Sequence, residues 1–282
     1  MIAILGGLGS AVCFAVSALC ASSASRRIGA TVTLAWVMAS GLVLVVPLIV
    51  LFGAGARLTV GRIGLLAVLG TTNVGGLGIE YAAYRRGKVG VITPVASTEG
   101  AIAAGIAVVV GLHLALRTGL LLALVTVGVV LAAAHPDPPS ARPEVGVRSA
   151  VLAIPVALLF GVNLYTTGRL GHELPLVWLV LPARLLGSAL ITAPLAARRE
   201  LRRPRSALAL VVVAGVCEVA GILSYAVGAR HQLAIAAVLS SQFAALAAVG
   251  AYFAFDERLT GTQLAGLAVV AAGVGLLAAT TG

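Results

Sequence analysis

The chain has 282 residues, of which 60% are hydrophobic and only 10% are charged. A soluble domain is about one quarter charged, and a soluble fold of this size cannot bury so much apolar surface. The composition excludes a cytosolic enzyme, a disordered chain and a soluble nucleic-acid binder. The net charge of +10 comes from short Arg clusters between long apolar runs, a pattern typical of loops beside a membrane.

Ten apolar runs are long enough to cross the hydrocarbon core, which takes about 20 helical residues. In chain order they are 2–22, 31–52, 62–82, 89–110, 118–134, 148–168, 174–196, 206–227, 232–254 and 261–280. The longest break, 135–147, contains four prolines and lies near the middle of the chain. We therefore predict an all-α integral membrane protein with ten transmembrane helices. Two halves of five helices, 1–134 and 148–282, are joined by the Pro-rich linker 135–147.

The two halves show an internal repeat. The matched pairs, 143 to 146 positions apart, are Phe14 with Phe160, Gly41 with Gly187, Tyr81 with Tyr225, Glu99 with Gln242, and Gly128 with Gly273. Because five helices is an odd number, the halves must insert with opposite orientations. The repeat thus predicts an inverted pair with a binding site near the membrane midplane.

The end of the chain carries a family motif. Phe255-Asp256-Glu257-Arg258-Leu259-Thr260 is followed by Gln263, Gly266 and Gly273-Val274. This order resembles the ending of a repeat in EamA-type members of the drug/metabolite transporter superfamily, and the length and two five-helix halves extend the resemblance to the whole chain. It implies a small-molecule transporter, often an exporter of amino acids, metabolites or drugs driven by proton exchange.

Four charged residues fall inside predicted spans: Glu80, Glu99, Arg184 and Glu218. Each costs about 2.5–3.5 kcal/mol at a helix centre unless it faces water or a partner, so each is a functional candidate. We expect Glu99 to be the main proton carrier, because it lies mid-span after Pro94, where a proline can break the helix. Its repeat partner Gln242 keeps the same depth polar.

The third and eighth spans supply further site candidates. Glu218 is central in its span and Asn73 is central in the third. Tyr225 lies seven residues after Glu218, on the same helix face, and Tyr81 is its repeat partner. Glu80 is close to the basic loop 85–88, so it is either a cavity gate or a loop ion-pair partner.

Arg184 stands where the first half has Met38. Its planar guanidinium suits a substrate carboxylate, and a structural ion pair with Glu218 or Glu99 is an equal alternative. Asn163 is a weaker cavity candidate. The three cysteines lie in apolar runs without metal-ligand spacing, so we predict neither a metal site nor a cofactor.

The sequence predicts a secondary active transporter of the plasma membrane, a monomer or homodimer, that exports a small cationic or zwitterionic metabolite, amino acid or drug. No nucleotide-hydrolysis motif is present, so protons are the expected coupling ion. An uptake permease of the same fold is the main alternative. A membrane scaffold would not need intramembrane carboxylates, and an intramembrane enzyme lacks suitably placed His or Asp residues.

Orientation has two opposed indications. The loops on one side of the membrane hold 13 Lys and Arg residues, and those on the side of both termini hold 5. The positive-inside rule therefore places both termini outside the cytoplasm. The family resemblance implies the reverse, and we follow the charge count.

Overall fold

The computed structural model describes residues 1–86, 92, 95–133, 143–201, 204–247 and 261–281. Its regular structure in these residues is helical, as expected where the backbone must satisfy its own hydrogen bonds in lipid. The helices are α1 (Ile2–Ile28), α2 (Ala30–Phe52), α3 (Val60–Arg86), α4 (Glu99–Val109), α5 (Leu116–Ala133), α6 (Pro143–Gly171), α7 (Leu176–Ala197), α8 (Leu208–Ser240) and α9 (Gly261–Thr281).

Five of these helices, α1, α2, α3, α7 and α8, are long and apolar enough to cross a membrane. Helices α4, α5 and α9 contain shorter apolar stretches of the described chain. The protein is therefore an all-helical membrane protein. The family motif around residues 255–260, and Pro94, lie outside the described residues.

Several helices extend beyond the predicted spans. Helix α1 continues through the basic pair at its end to Ile28, and only Gly29 separates it from α2. Gly29 has a φ of 89°, a left-handed conformation that glycine adopts without a Cβ clash. Helix α6 begins at Pro143, inside the predicted linker, because proline is well tolerated in the first helical turn. Hydropathy locates the membrane core, whereas hydrogen bonding continues the helix into the interface.

The helices that surround the protein centre are interrupted. A turn at Ser97 and Thr98 precedes α4, and a second turn at Ser241 and Gln242 follows α8. Helix α8 itself changes direction at Gln232, whose φ is −151° and ψ is 99°, so it contains the eighth predicted span and the start of the ninth. Helix α7 contains a π turn over Ser188–Thr192, a feature often found at functional sites.

Close helix contacts occur in reciprocal pairs. A Cβ on Gly41 would lie 2.8 Å from Arg184 Cδ, and a Cβ on Gly187 would lie 2.5 Å from Met38 Cγ. Met38 and Arg184 are themselves counterparts in the repeat. Two more sets are reciprocal in the same way. In one, Gly76 packs against Phe160 and Gly221 packs against Phe14. In the other, Gly128 packs against Val270 and Gly273 packs against Val125. In each of these three sets, the corresponding residues of the two contacts are 145 or 146 positions apart in the sequence.

Candidate functional site

A cavity lies among α1, α3, α4, α6 and α8. Three carboxylates from three different helices reach it. The lining residues are Phe14, Ser17, Ala18, Asn73, Leu77, Glu80, Tyr81, Glu99, Phe160, Asn163, Leu164, Glu218, Ile222 and Phe243. Its walls are largely apolar, which makes every polar group in it energetically significant.

Glu218 of α8 is the most extensively paired carboxylate of the cavity. Ser17 Oγ donates a hydrogen bond to its Oε1 at 3.1 Å, and Arg184 Nη2 lies 3.6 Å from its Oε2. Ser17 also donates to the Ala214 carbonyl at 3.3 Å, which ties α1 to α8. The guanidinium compensates the charge of Glu218 without a short hydrogen bond.

Glu80 of α3 lies in the cavity wall and is 5% exposed. Tyr84 Oη donates to its Oε1 at 2.7 Å, one helical turn further along α3. The sequence offered two roles for Glu80, a cavity gate or an ion-pair partner of the basic loop 85–88. Its position in the cavity wall is the one that the first role requires. Asn73 lies two turns earlier on α3, and its Oδ1 is buried with no hydrogen-bond partner in the described protein.

Glu99 begins α4 and is 3% exposed. Its carboxylate receives no hydrogen bond from the described residues, although it lines the same cavity. The turn at Ser97 and Thr98 exposes the N-terminal end of α4 here, where the partial positive charge of the helix dipole favours an anion. Gly100 allows this break to approach α8 closely, since a Cβ there would lie 2.4 Å from the Ala237 carbonyl oxygen.

Three of the residues expected at the site do not line the cavity. Arg184 is fully buried, with Nη1 3.5 Å from the Met38 sulfur. Tyr225 donates to the Leu164 carbonyl at 2.8 Å. Gln242 donates to the Val238 carbonyl at 3.4 Å, and its Oε1 has no partner among the described groups. The other six expected residues, Asn73, Glu80, Tyr81, Glu99, Asn163 and Glu218, lie in the wall.

Sequence reasoning missed the aromatic side of the cavity. Phe14, Phe160 and Phe243 line it, and the first two rings pack against glycines of the facing helices, Gly221 and Gly76. The sequence contained one indication of this aromatic lining, because Phe14 and Phe160 form one of the repeat pairs. Asn163 on α6 donates to the Leu69 carbonyl at 2.8 Å, the counterpart of the Ser17 contact with Ala214 in the other half.

A larger and more open cleft lies where the α4–α5 connection, the end of α6 and the break in α8 meet. Three histidines line it, His113, His172 and His231, together with Tyr165 and Arg169. His231 also shares a smaller cleft with Met1. The histidine-lined cleft therefore belongs to the face on which the N-terminus lies.

An exposed ion-pair cluster closes the connection between α6 and α7 near this cleft. Arg62 Nε donates to Glu173 at 2.9 Å, and Arg169 pairs with the same carboxylate. The hydrogen bond from Arg62, with the charge of Arg169, holds the pKa of Glu173 below its usual range. Glu173 is thus an ionised loop glutamate outside the cavity.

Residues 1–134 match the model of the EamA-like transporter family. The family resemblance inferred from the sequence is confirmed. The motifs that suggested it lie in the second half, whereas the match covers the first. A transporter family implies a small-molecule substrate and a lipid bilayer.

Solved structures also resemble this chain, and 18 of their chains match it. One crystal structure superposes with a TM-score of 0.73 over 98% of this chain and 96% of its own, at 17% sequence identity. At that identity the likeness concerns the fold. No curated protein matches the sequence.

Proposed function

We propose that the protein is a proton-coupled secondary transporter built from two inverted five-helix repeats, 1–134 and 148–282, with ten membrane crossings. The reciprocal glycine contacts support the repeat, since a two-fold axis maps each contact onto its counterpart. The match to one family model over 1–134 also fits a repeat unit of this length. Such an axis places the substrate site at the midplane, between the halves.

The observation that carries the proposed mechanism is the convergence of Glu80, Glu99 and Glu218 on one cavity among apolar helices. Three ionised carboxylates in such surroundings repel one another and lack hydration. Proton uptake or a bound cation relieves this cost. Competition between protons and substrate for the same carboxylates couples their movements in opposite directions.

Glu99 is the main proton carrier in this scheme. Glu218 is partly compensated by Arg184, and Glu80 accepts a hydrogen bond from Tyr84. Among the described residues, Glu99 has neither an ion-pair partner nor a hydrogen-bond donor. Its carboxylate therefore depends most on a proton or on substrate.

Export of a small cationic or zwitterionic metabolite, amino acid or drug from the cell is the proposed direction of net transport. The histidine-lined cleft is the proposed vestibule, on the face that the Lys and Arg count places outside. Uptake by the same fold is the alternative, and the sign of the substrate gradient that an imposed proton gradient generates distinguishes the two.

The test uses proteoliposomes with an imposed pH gradient and a panel of amino acids and organic amines. Glu99→Gln keeps the side-chain shape and removes the titrating group, so gradient-driven accumulation should be lost. Energy-independent exchange of the same compound should persist. Glu173→Gln is the matched control, because it makes the same change in an exposed loop, and it should transport normally. Accumulation at a normal rate by Glu99→Gln would refute the assignment.

A further inference from the structure

The central cavity has acidic groups but no basic counterpart. Its described lining contains three carboxylates and no Arg, Lys or His side chain. Arg184 is fully buried and is not among the lining residues, and its Nη2 lies 3.6 Å from Oε2 of the lining residue Glu218. Its aliphatic part packs on Gly41 and its Nη1 on the Met38 sulfur. The guanidinium is therefore part of the protein's own charge balance.

We infer that the cavity binds an organic cation without a carboxylate, namely a protonated amine rather than an amino acid. The inference rests on the proposed transport function and narrows its substrate class. A substrate carboxylate would add a fourth acid to the cavity without a cation to accept it. Arg184 Nε and Nη2 have no hydrogen-bond partner in the described protein, but Nη2 already faces the Glu218 carboxylate at 3.6 Å, so a substrate carboxylate would compete with Glu218 for the guanidinium.

The polar groups of the cavity wall favour a ligand with N–H donors. Asn73 Oδ1 is a buried acceptor without a partner among the described residues. Glu99, in the same wall, receives no hydrogen bond from them. An ammonium group presents several N–H donors and a positive charge, which complements acceptors of this kind.

The remaining wall favours an apolar substituent on the amine. Phe14 and Phe160 face the cavity from α1 and α6, and Phe243 adds a third ring. Gly221 and Gly76 fix the first two rings by close contact. Aromatic faces attract cations and pack against hydrocarbon groups. The expected substrate is a small amine with an apolar body.

The experiment compares three pairs of compounds that differ by one carboxylate: phenylalanine with phenethylamine, leucine with isoamylamine, and lysine with cadaverine. Binding to the purified full chain is measured by calorimetry, and proton-coupled flux is measured in proteoliposomes. At least one amine should bind about a hundredfold more tightly than its amino acid, because a buried charge without a partner is strongly unfavourable. Glu99→Gln should weaken amine binding, and Glu173→Gln should not.

The outcomes separate this inference from the transport proposal. If amino acids bind as tightly as their amines and move with protons, the inference is wrong and the transport function stands. If no compound of either class binds or moves, both are wrong. Amine binding that is unchanged in Glu99→Gln places the amine elsewhere and also overturns the inference.

Discussion

The buried ion pair between Arg184 and Glu218 should show a larger coupling energy than the shorter and more exposed ion pair between Arg62 and Glu173. Arg184 Nη2 and Glu218 Oε2 are 3.6 Å apart, with side chains 0% and 9% exposed. At this separation two unit charges attract by about 4–5 kcal/mol for an effective dielectric constant of about 20. Arg184→Met introduces the residue found at the repeat-related position 38, and Glu218→Gln removes the opposite charge.

Each single substitution leaves one buried charge without its partner, so each should lower the free energy of unfolding by about 3–5 kcal/mol. The double variant should lose much less than the sum of the two. Unfolding in mixed detergent micelles, followed by circular dichroism during denaturant titration, provides the four free energies of a double-mutant cycle. The expected coupling energy is several kcal/mol.

Arg62 and Glu173 form the matched control pair. Their atoms are closer, at 2.9 Å, but their side chains are 26% and 23% exposed. Solvent screening should limit their coupling to below about 1 kcal/mol. The effects of the Arg184 and Glu218 substitutions on the free energy of unfolding could prove additive within about 0.5 kcal/mol, or the surface pair could couple as strongly. Either result would show that burial does not determine the coupling of these ion pairs.

Three further predictions concern the cavity, its packing and the orientation. In a background without the native cysteines, Asn73→Cys should react with a small polar thiol reagent and Gln242→Cys should be protected. The reason is that Asn73 lines the cavity and Gln242 does not. Equal labelling of the two positions would contradict this. Gly41→Ala places a Cβ 2.8 Å from Arg184 Cδ and should lower the melting temperature by several degrees. In Gly75→Ala the nearest atom to the new Cβ is 3.6 Å away, so the melting temperature should change little. Equal shifts in the two variants would show that close packing at Gly41 does not matter for stability. A C-terminal fusion to a reporter active only in the cytoplasm should stay dark, and a bright fusion would reverse the orientation.

Composition and periodicity were sufficient to predict a helical membrane protein, and the motif residues between Phe255 and Val274 supplied the resemblance to EamA-type transporters. Long uncharged runs have one stable solution in lipid, a helix that satisfies its own backbone, and this constraint acts on the chain locally. For the same reason, charged residues within those runs could be identified as site candidates before any contact was known. Glu80, Glu99 and Glu218 were found in this way.

Only the tertiary structure decided which side these residues face and which partners they have. In a hydrophobic span the sequence does not distinguish residues that face lipid from residues that face the protein interior, because both environments are apolar. The sequence left Arg184 between a substrate site and an ion pair, and in the structure its Cδ packs on Gly41 while its Nη2 lies 3.6 Å from Glu218 Oε2. The breaks at Gln232 and at Ser97–Thr98, and the inward position of the phenylalanines, likewise depend on neighbouring helices. Such features arise from contacts between distant parts of the chain, which local hydropathy does not encode.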